Sequence, residues 1–229
     1  MKKILSLVLT ALMFCVLLGN FSYVCAEEDF DEDEYFKQAE KEIKETITKE
    51  MVNEFKKSNV FKKVNETKAK RASCMKDNLD AVKKLAEKDS KYNKLENIIK
   101  NSLEQEHSVA LKMIDEGLAI KDMDILHYYK GTVFFFDRNL EKAIEEFEKV
   151  KQENRPAYER FYTMLANSKN FMGNKKGALI SITEGVNNAP DLNTYDVSSV
   201  INQELGNTDQ YLKDRKMFLM LYAIDQMGY

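Results

Sequence analysis

Proline and glycine are scarce in this chain. Only Pro156, Pro190 and eight glycines occur in 229 residues, while Lys, Glu, Leu, Ala and Met are plentiful. Strand-like alternation is hard to find, so the composition favours long helices with short breaks over a sheet. Cysteine is nearly missing as well. Two of the three cysteines, Cys15 and Cys25, fall in an apolar N-terminal stretch that reads as an export signal. Cys74 is then alone, which excludes an internal disulfide and leaves stability to packing. As a small residue on a helix it is expected to be buried and inert, although an exposed Cys74 could link two copies.

Histidine is limited to His107 and His127, and HExxH, GxSxG and Gly-rich phosphate loops are all lacking. Catalysis and metal binding have no visible foothold, so no enzyme activity, cofactor or metal is expected. Both histidines fall on expected helices and read as packed or solvent-facing. Asp29, Asp31 and Asp33 alternate as in a calcium loop, but Glu34 stands where the sharp turn needs glycine. Asn65-Glu66-Thr67 matches a glycosylation acceptor by chance spacing. A surplus of basic charge is absent too: 35 basic residues face 38 acidic ones, and loss of Lys2 and Lys3 with the signal takes the net charge from −3 to −5. Nothing in that balance attracts nucleic acid.

The N-terminus has the three parts of a secretory signal: Lys2-Lys3, the apolar run Ile4 to Leu18, and Val24-Cys25-Ala26 ahead of an acidic stretch. Cleavage after Ala26 is expected, giving a periplasmic or secreted protein without a stable membrane anchor. The alternative is an uncleaved anchor, since Ile4 to Ala26 is nearly long enough for a span, which needs about 20 apolar residues, but the fully apolar part stops short at Leu18. Ser22-Tyr23-Val24 before Cys25 is a poor lipobox.

The expected organisation is a signal over 1–26, a mobile acidic leader over 27–34, an N-terminal helical hairpin over 35–90 and a repeat region over 91–229. Phe36, Ala39, Ile43, Ile47, Met51 and Phe55 line one face of a helix running to about Lys57. A second helix is expected over about Val60 to Lys88. Shorter helices follow, over about 91–103, 106–120, 124–136, 140–151, 156–171, 175–186, 194–205 and 208–226. Their breaks include Asp137-Arg138-Asn139, Met172-Gly173-Asn174 and Leu205-Gly206-Asn207.

The sharpest internal signal is a repeat. Ala110, Ala143 and Ala178 each stand four residues before a large apolar residue, namely Ile114, Phe147 and Ile182, and the alanines are 33 and 35 residues apart. Gly131 precedes the second copy as Ala166 precedes the third, and Pro190 marks an exit. This pattern resembles the tetratricopeptide repeat (TPR), with its Leu-Gly-x2-Tyr, Ala-x3-Phe and Pro positions. The resemblance covers roughly 91–225 and is strong in the two central copies. At the ends it departs, with Gln105 and His107 at turn and aromatic positions and Tyr211 in place of the small alanine.

The resemblance implies an all-α fold in which antiparallel helical hairpins stack as a TPR-like right-handed solenoid, preceded here by a long N-terminal helical hairpin. It also implies a concave groove that takes a protein or peptide partner. Carried over, the groove-facing positions are Tyr128, Thr132, Phe135, Arg160, Thr163, Asn167 and Asn170. Tyr128 and Phe135 could equally pack on the neighbouring hairpin, since the consecutive Phe134, Phe135 and Phe136 cannot all point inward. The carboxylate-clamp type needs several groove cations, and only Arg160 stands at these places. The function expected is a non-catalytic exported scaffold. The alternative is an envelope assembly protein that self-associates through its N-terminal helices.

Overall fold

The computed structural model describes residues 32–228. Among them the chain is all-α, with eleven α-helices, three short 3-10 turns and no strand. The signal expected over 1–26 and most of the acidic leader lie outside the described residues. No described helix is long and apolar enough to cross a membrane.

The first three helices are α1 (Glu32–Thr46), α2 (Lys49–Lys56) and α3 (Asn59–Ala86). They are followed by α4 (Asn93–Asn101), α5 (His107–Ile120), α6 (Asp124–Phe136), α7 (Leu140–Lys149), α8 (Phe161–Phe171), α9 (Lys175–Asn188), α10 (Leu192–Glu204) and α11 (Thr208–Met227). The expected helix over 35–57 is broken at Ile47-Thr48. Thr48 adopts an extended backbone and its hydroxyl accepts the Met51 amide hydrogen at 3.2 Å, capping α2. Ser58 caps α3 in the same way through the Phe61 amide.

Of the expected N-terminal hairpin only the α2 part packs closely on α3, with the Phe55 and Phe61 ring centroids 5.5 Å apart. α1 packs against α11 instead, because Ala39, Ile43 and Ile47 share a core with Phe218, Leu221, Tyr222 and Ala223. α3 runs past the ends of the later helices, and its polar residues reach them one after another. Lys63 donates to the Asn187 carbonyl, Lys68 pairs with Asp225 at 3.0 Å, Lys70 donates to the Glu153 carbonyl at 3.1 Å, and Arg71 pairs with Asp191. Farther along, Cys74, Leu79 and Val82 join the core of α4 to α8.

From α4 onward, consecutive helices pair and each pair packs on the next. The turns within the last three pairs place one residue in the left-handed region: Arg138 (φ 58°), Gly173 (φ 78°) and Gly206 (φ 72°). Within two of these pairs a ring lies against bare backbone. A Cβ added at Gly131 would sit 2.7 Å from the Phe147 ring, and one at Gly185 would sit 2.6 Å from Tyr162 Cβ. Ala143 and Phe147 are completely buried, as are Ala178 and Ile182 in the next pair. The expected helix from Pro156 is corrected to a 3-10 turn over Arg155–Ala157. Arg160 follows with φ 55°, so α8 starts only at Phe161.

Two substitutions test this packing. Gly131→Ala drives a methyl group into an aromatic ring that cannot yield without moving a helix, so a loss of about 1–3 kcal/mol is expected. Arg138→Gly relieves a left-handed residue at an exposed turn and should add about 1 kcal/mol. Urea melts monitored by circular dichroism read both, and a Gly131→Ala chain as stable as wild type would refute the close approach.

Candidate functional site

A cavity of about 190 Å³ opens where the first helices of successive pairs meet. It is lined by Leu103, Ala110, Val133, Phe136 and Met164 with Tyr128 and Thr132, and its polar rim holds Gln105, His107, Glu159 and Arg160. Tyr128 forms one wall. Its ring stacks on Tyr158 with centroids 4.7 Å apart at 10°, and its hydroxyl donates to the Glu159 carbonyl at 2.8 Å. Burial pushes the Tyr128 hydroxyl's pKa well above its ordinary value, with the nearby Glu159 charge adding to the effect, so it stays a neutral donor. His107 faces the rim and its Nδ1 is held by Asp137.

Of the seven expected groove residues, the cavity brings together Tyr128, Thr132 and Arg160. Phe135, Thr163 and Asn167 are buried. The Thr163 hydroxyl donates to the Arg160 carbonyl at 2.9 Å, and Asn170 donates to Glu204 of α10 at 3.3 Å. Asn170 thus links neighbouring pairs, whereas the Thr163 bond stays at the start of α8. Sequence reasoning missed Leu103, Ala110, Val133 and Met164. Their apolar spacing was readable, but which of them would border a void depends on how three helices meet.

Tyr128, Thr163 and Asp196 each stand ten residues ahead of the left-handed turn residue of their pair, and so occupy one repeated position on α6, α8 and α10. Tyr128 is half-buried and borders the cavity, while Thr163 and Asp196 are buried. Asp196 accepts a hydrogen bond from the Tyr35 hydroxyl of α1 at 2.5 Å. Arg215 of α11 completes this cluster, donating to the Tyr35 hydroxyl at 2.8 Å and pairing with Glu42 at 3.0 Å. Burial raises the Asp196 pKa to about 6, against the lowering effects of the Tyr35 hydrogen bond and the Arg215 charge.

The second helices carry a repeated position too. Glu146, Ser181 and Asp214 stand three residues after Ala143, Ala178 and Tyr211, and all three are buried polar groups. Glu146 accepts from His127 Nδ1 at 2.6 Å and from Lys149 at 2.8 Å, while His127 Nε2 meets Asp122 at 2.9 Å. Burial opposes the Glu146 charge, yet these hydrogen bonds and Lys130 bring its pKa below the ordinary value. Asp214 is held by Ser198 at 2.7 Å, Asn202 at 3.1 Å and Gln210 at 2.8 Å. His127 is therefore a packed group bridging two carboxylates. Cys74 is only half-buried, and desolvation together with Asp77 raises its thiol pKa. Among the described residues no cluster of His, Cys, Asp or Glu is arranged to hold a metal ion.

Comparison with known proteins gives no match: no family model, no curated protein and no solved structure is similar to this chain.

The Asp196 cluster sets a pH dependence. A carboxyl whose folded pKa is raised binds its proton more tightly when folded. Its stabilising contribution is complete below about pH 4 and is lost as pH rises through about 6. Asp196→Asn keeps an oxygen to accept from Tyr35 and removes the buried charge. The variant should exceed wild type in stability by about 2–3 kcal/mol at pH 7.5, and the gap should close by pH 4. Thermal melts across that range decide it, and a gap independent of pH would sink the assignment.

Proposed function

We propose that the chain is an exported, non-catalytic scaffold, a TPR-like right-handed solenoid whose first helices present a binding face to a peptide or protein partner. The observation that carries this reading is the cavity beside Tyr128 and Arg160. It lies beside Tyr128, Thr132 and Arg160, three of the positions that the repeat resemblance implies for a groove, and its walls are apolar while its rim is polar. Ligand pockets for drug-sized molecules span roughly 300–1,000 Å³, so a void of about 190 Å³ suits one large apolar side chain.

The partner that fits is an extended peptide placing Leu, Met or Phe in the cavity, with an acidic residue beside it to meet the Arg160 guanidinium at the rim. The Tyr128 and Thr132 hydroxyls donate to the Glu159 and Tyr128 carbonyls, so towards a peptide they offer acceptor oxygens for its amide hydrogens. The TPR relationship is supported by the paired helices, by the 33- and 35-residue spacing of Ala110, Ala143 and Ala178, and by the ring of Phe147 seated on Gly131. Export is supported by the N-terminal sequence alone, and with it a periplasmic or secreted location.

Display selection of random peptides on the full chain tests the reading. Enriched peptides should share one large apolar residue next to an acid. Tyr128→Ala and Arg160→Ala should each weaken them about tenfold, the size of a typical anchor residue. Ile180→Ala, an exposed apolar position on α9, should change nothing. Equal affinity for all variants would remove the cavity from consideration.

A further inference from the structure

A second surface of the molecule already has a helix bound to it. α1 lies on the last pair, and its contacts there recur with helical spacing. Tyr35 bonds to Asp196 and Arg215, Phe36 stacks on Tyr222 with centroids 5.5 Å apart at 20°, and Ala39 and Ile43 are completely buried among Phe218, Tyr222 and their neighbours. Glu42 receives two hydrogen bonds from the Arg215 guanidinium, at 3.0 and 3.2 Å. That guanidinium also lies 4.9 Å from the Phe218 ring centroid and 5.4 Å from that of Tyr35.

The receiving side is built by the array itself. Asp196 comes from α10, and Arg215, Phe218 and Tyr222 come from one face of α11. Asp196 stands at the register position that borders the open cavity on α6. The occupant enters from elsewhere in the chain and is tied on by short links. Ile47-Thr48 joins α1 to α2, and Lys57-Ser58 joins α2 to α3.

An isolated helix of this length is marginal in water, so α1 owes its order to the surface beneath it. A short helix seated on the last pair and joined to its neighbour by only two residues, Ile47 and Thr48, is the kind of element that two copies can exchange. We propose that the face formed by α10 and α11 is a helix-docking site of which α1 is the resident occupant, and that it accepts the same segment from a second copy of this chain. Recognition requires an aromatic pair, a small residue three positions on, and an acid followed by a branched aliphatic residue at the next turn. The acid is read by a bidentate guanidinium, which distinguishes this face from a merely apolar one. The site is independent of the Tyr128 cavity.

The test uses the full chain and a fluorescent peptide of residues 32–48. In wild type the resident helix blocks the site. In the Phe36→Ala/Ile43→Ala chain the arm is weakened while the receiving face is intact, and this chain should bind the peptide at least tenfold more tightly. Adding Arg215→Ala, or using a Glu42→Gln peptide, should reverse most of that gain, whereas Tyr128→Ala/Arg160→Ala should leave it unchanged. Tyr35→Phe, which removes a single hydroxyl, gives an intermediate gain and covers the case in which the double variant loses its helicity. For the second copy, isotopically light and heavy wild-type chains are concentrated together and weighed by native mass spectrometry. Dimers of mixed mass that disappear with Arg215→Ala are expected. Equal peptide affinity for wild type and arm variants, or insensitivity to Arg215→Ala, overturns the docking site. Monomers alone at every concentration overturn the exchange.

Discussion

The ring of Phe147 against the bare backbone of Gly131 sets how closely α6 and α7 approach, and much of the molecule follows from that distance. A Cβ at Gly131 would meet the ring at 2.7 Å, so any larger residue forces the two helices apart. With the helices tight, the buried faces of α6 and α7 leave their opposite sides to the neighbouring pairs. Tyr162 at Gly185 repeats the arrangement in the next pair. A repeated close approach brings successive first helices side by side, and the cavity beside Tyr128 lies where α6 and α8 meet α5 and leave the space unfilled.

The attachment of α3 to the later helices is a separate problem, solved by charged contacts together with the apolar ones of Val64, Leu79 and Val82. α3 passes along the helix ends, and its Lys63, Lys68, Lys70 and Arg71 each find an acceptor there. Most of these bonds are exposed and contribute little individually. The Arg71–Asp191 pair is buried, and Asp191 also caps α10 with Thr194. The same carboxylate thus starts a helix and holds the strap. At the far end α1 covers apolar surface that would otherwise face water, and it does so over a buried acid. Burial of Asp196 there disfavours its charged form, so the fold loses some stability as pH rises through about 6.

Several elements were legible from residues alone. The helix over Asp124–Phe136 is bounded as its periodicity implies, and the turns at Arg138, Gly173 and Gly206 fall where the punctuation places them. The break at Thr48 is masked in the sequence by the continuous apolar face from Phe36 to Phe55, and only the capping hydroxyl of Thr48 marks it. Asp191 and Thr194 form a capping box, so α10 begins before the expected Thr194. Pro156 suits a helix start, yet the left-handed Arg160 delays α8 to Phe161, and no residue type announces that geometry. Of the expected groove residues, Tyr128, Thr132 and Arg160 border the cavity, while Thr163 and Asn167 are buried away from it, a difference that residue type and spacing do not carry.

What the sequence determined is what depends on neighbours a few residues away. Helix periodicity, caps, turn residues and the small-residue repeat all act over one or two helical turns, and together they yield an all-α chain of paired helices. What the tertiary structure alone decided is which surfaces meet across long separations. Tyr35 and Asp196 are 161 residues apart, and Arg215 and Glu42 are 173 apart. Nothing in either local pattern selects the other, because burial of α1 on α11 is a competition among apolar faces settled only when all the helices are packed. The cavity has the same origin, since a void is defined by the side chains that fail to reach it.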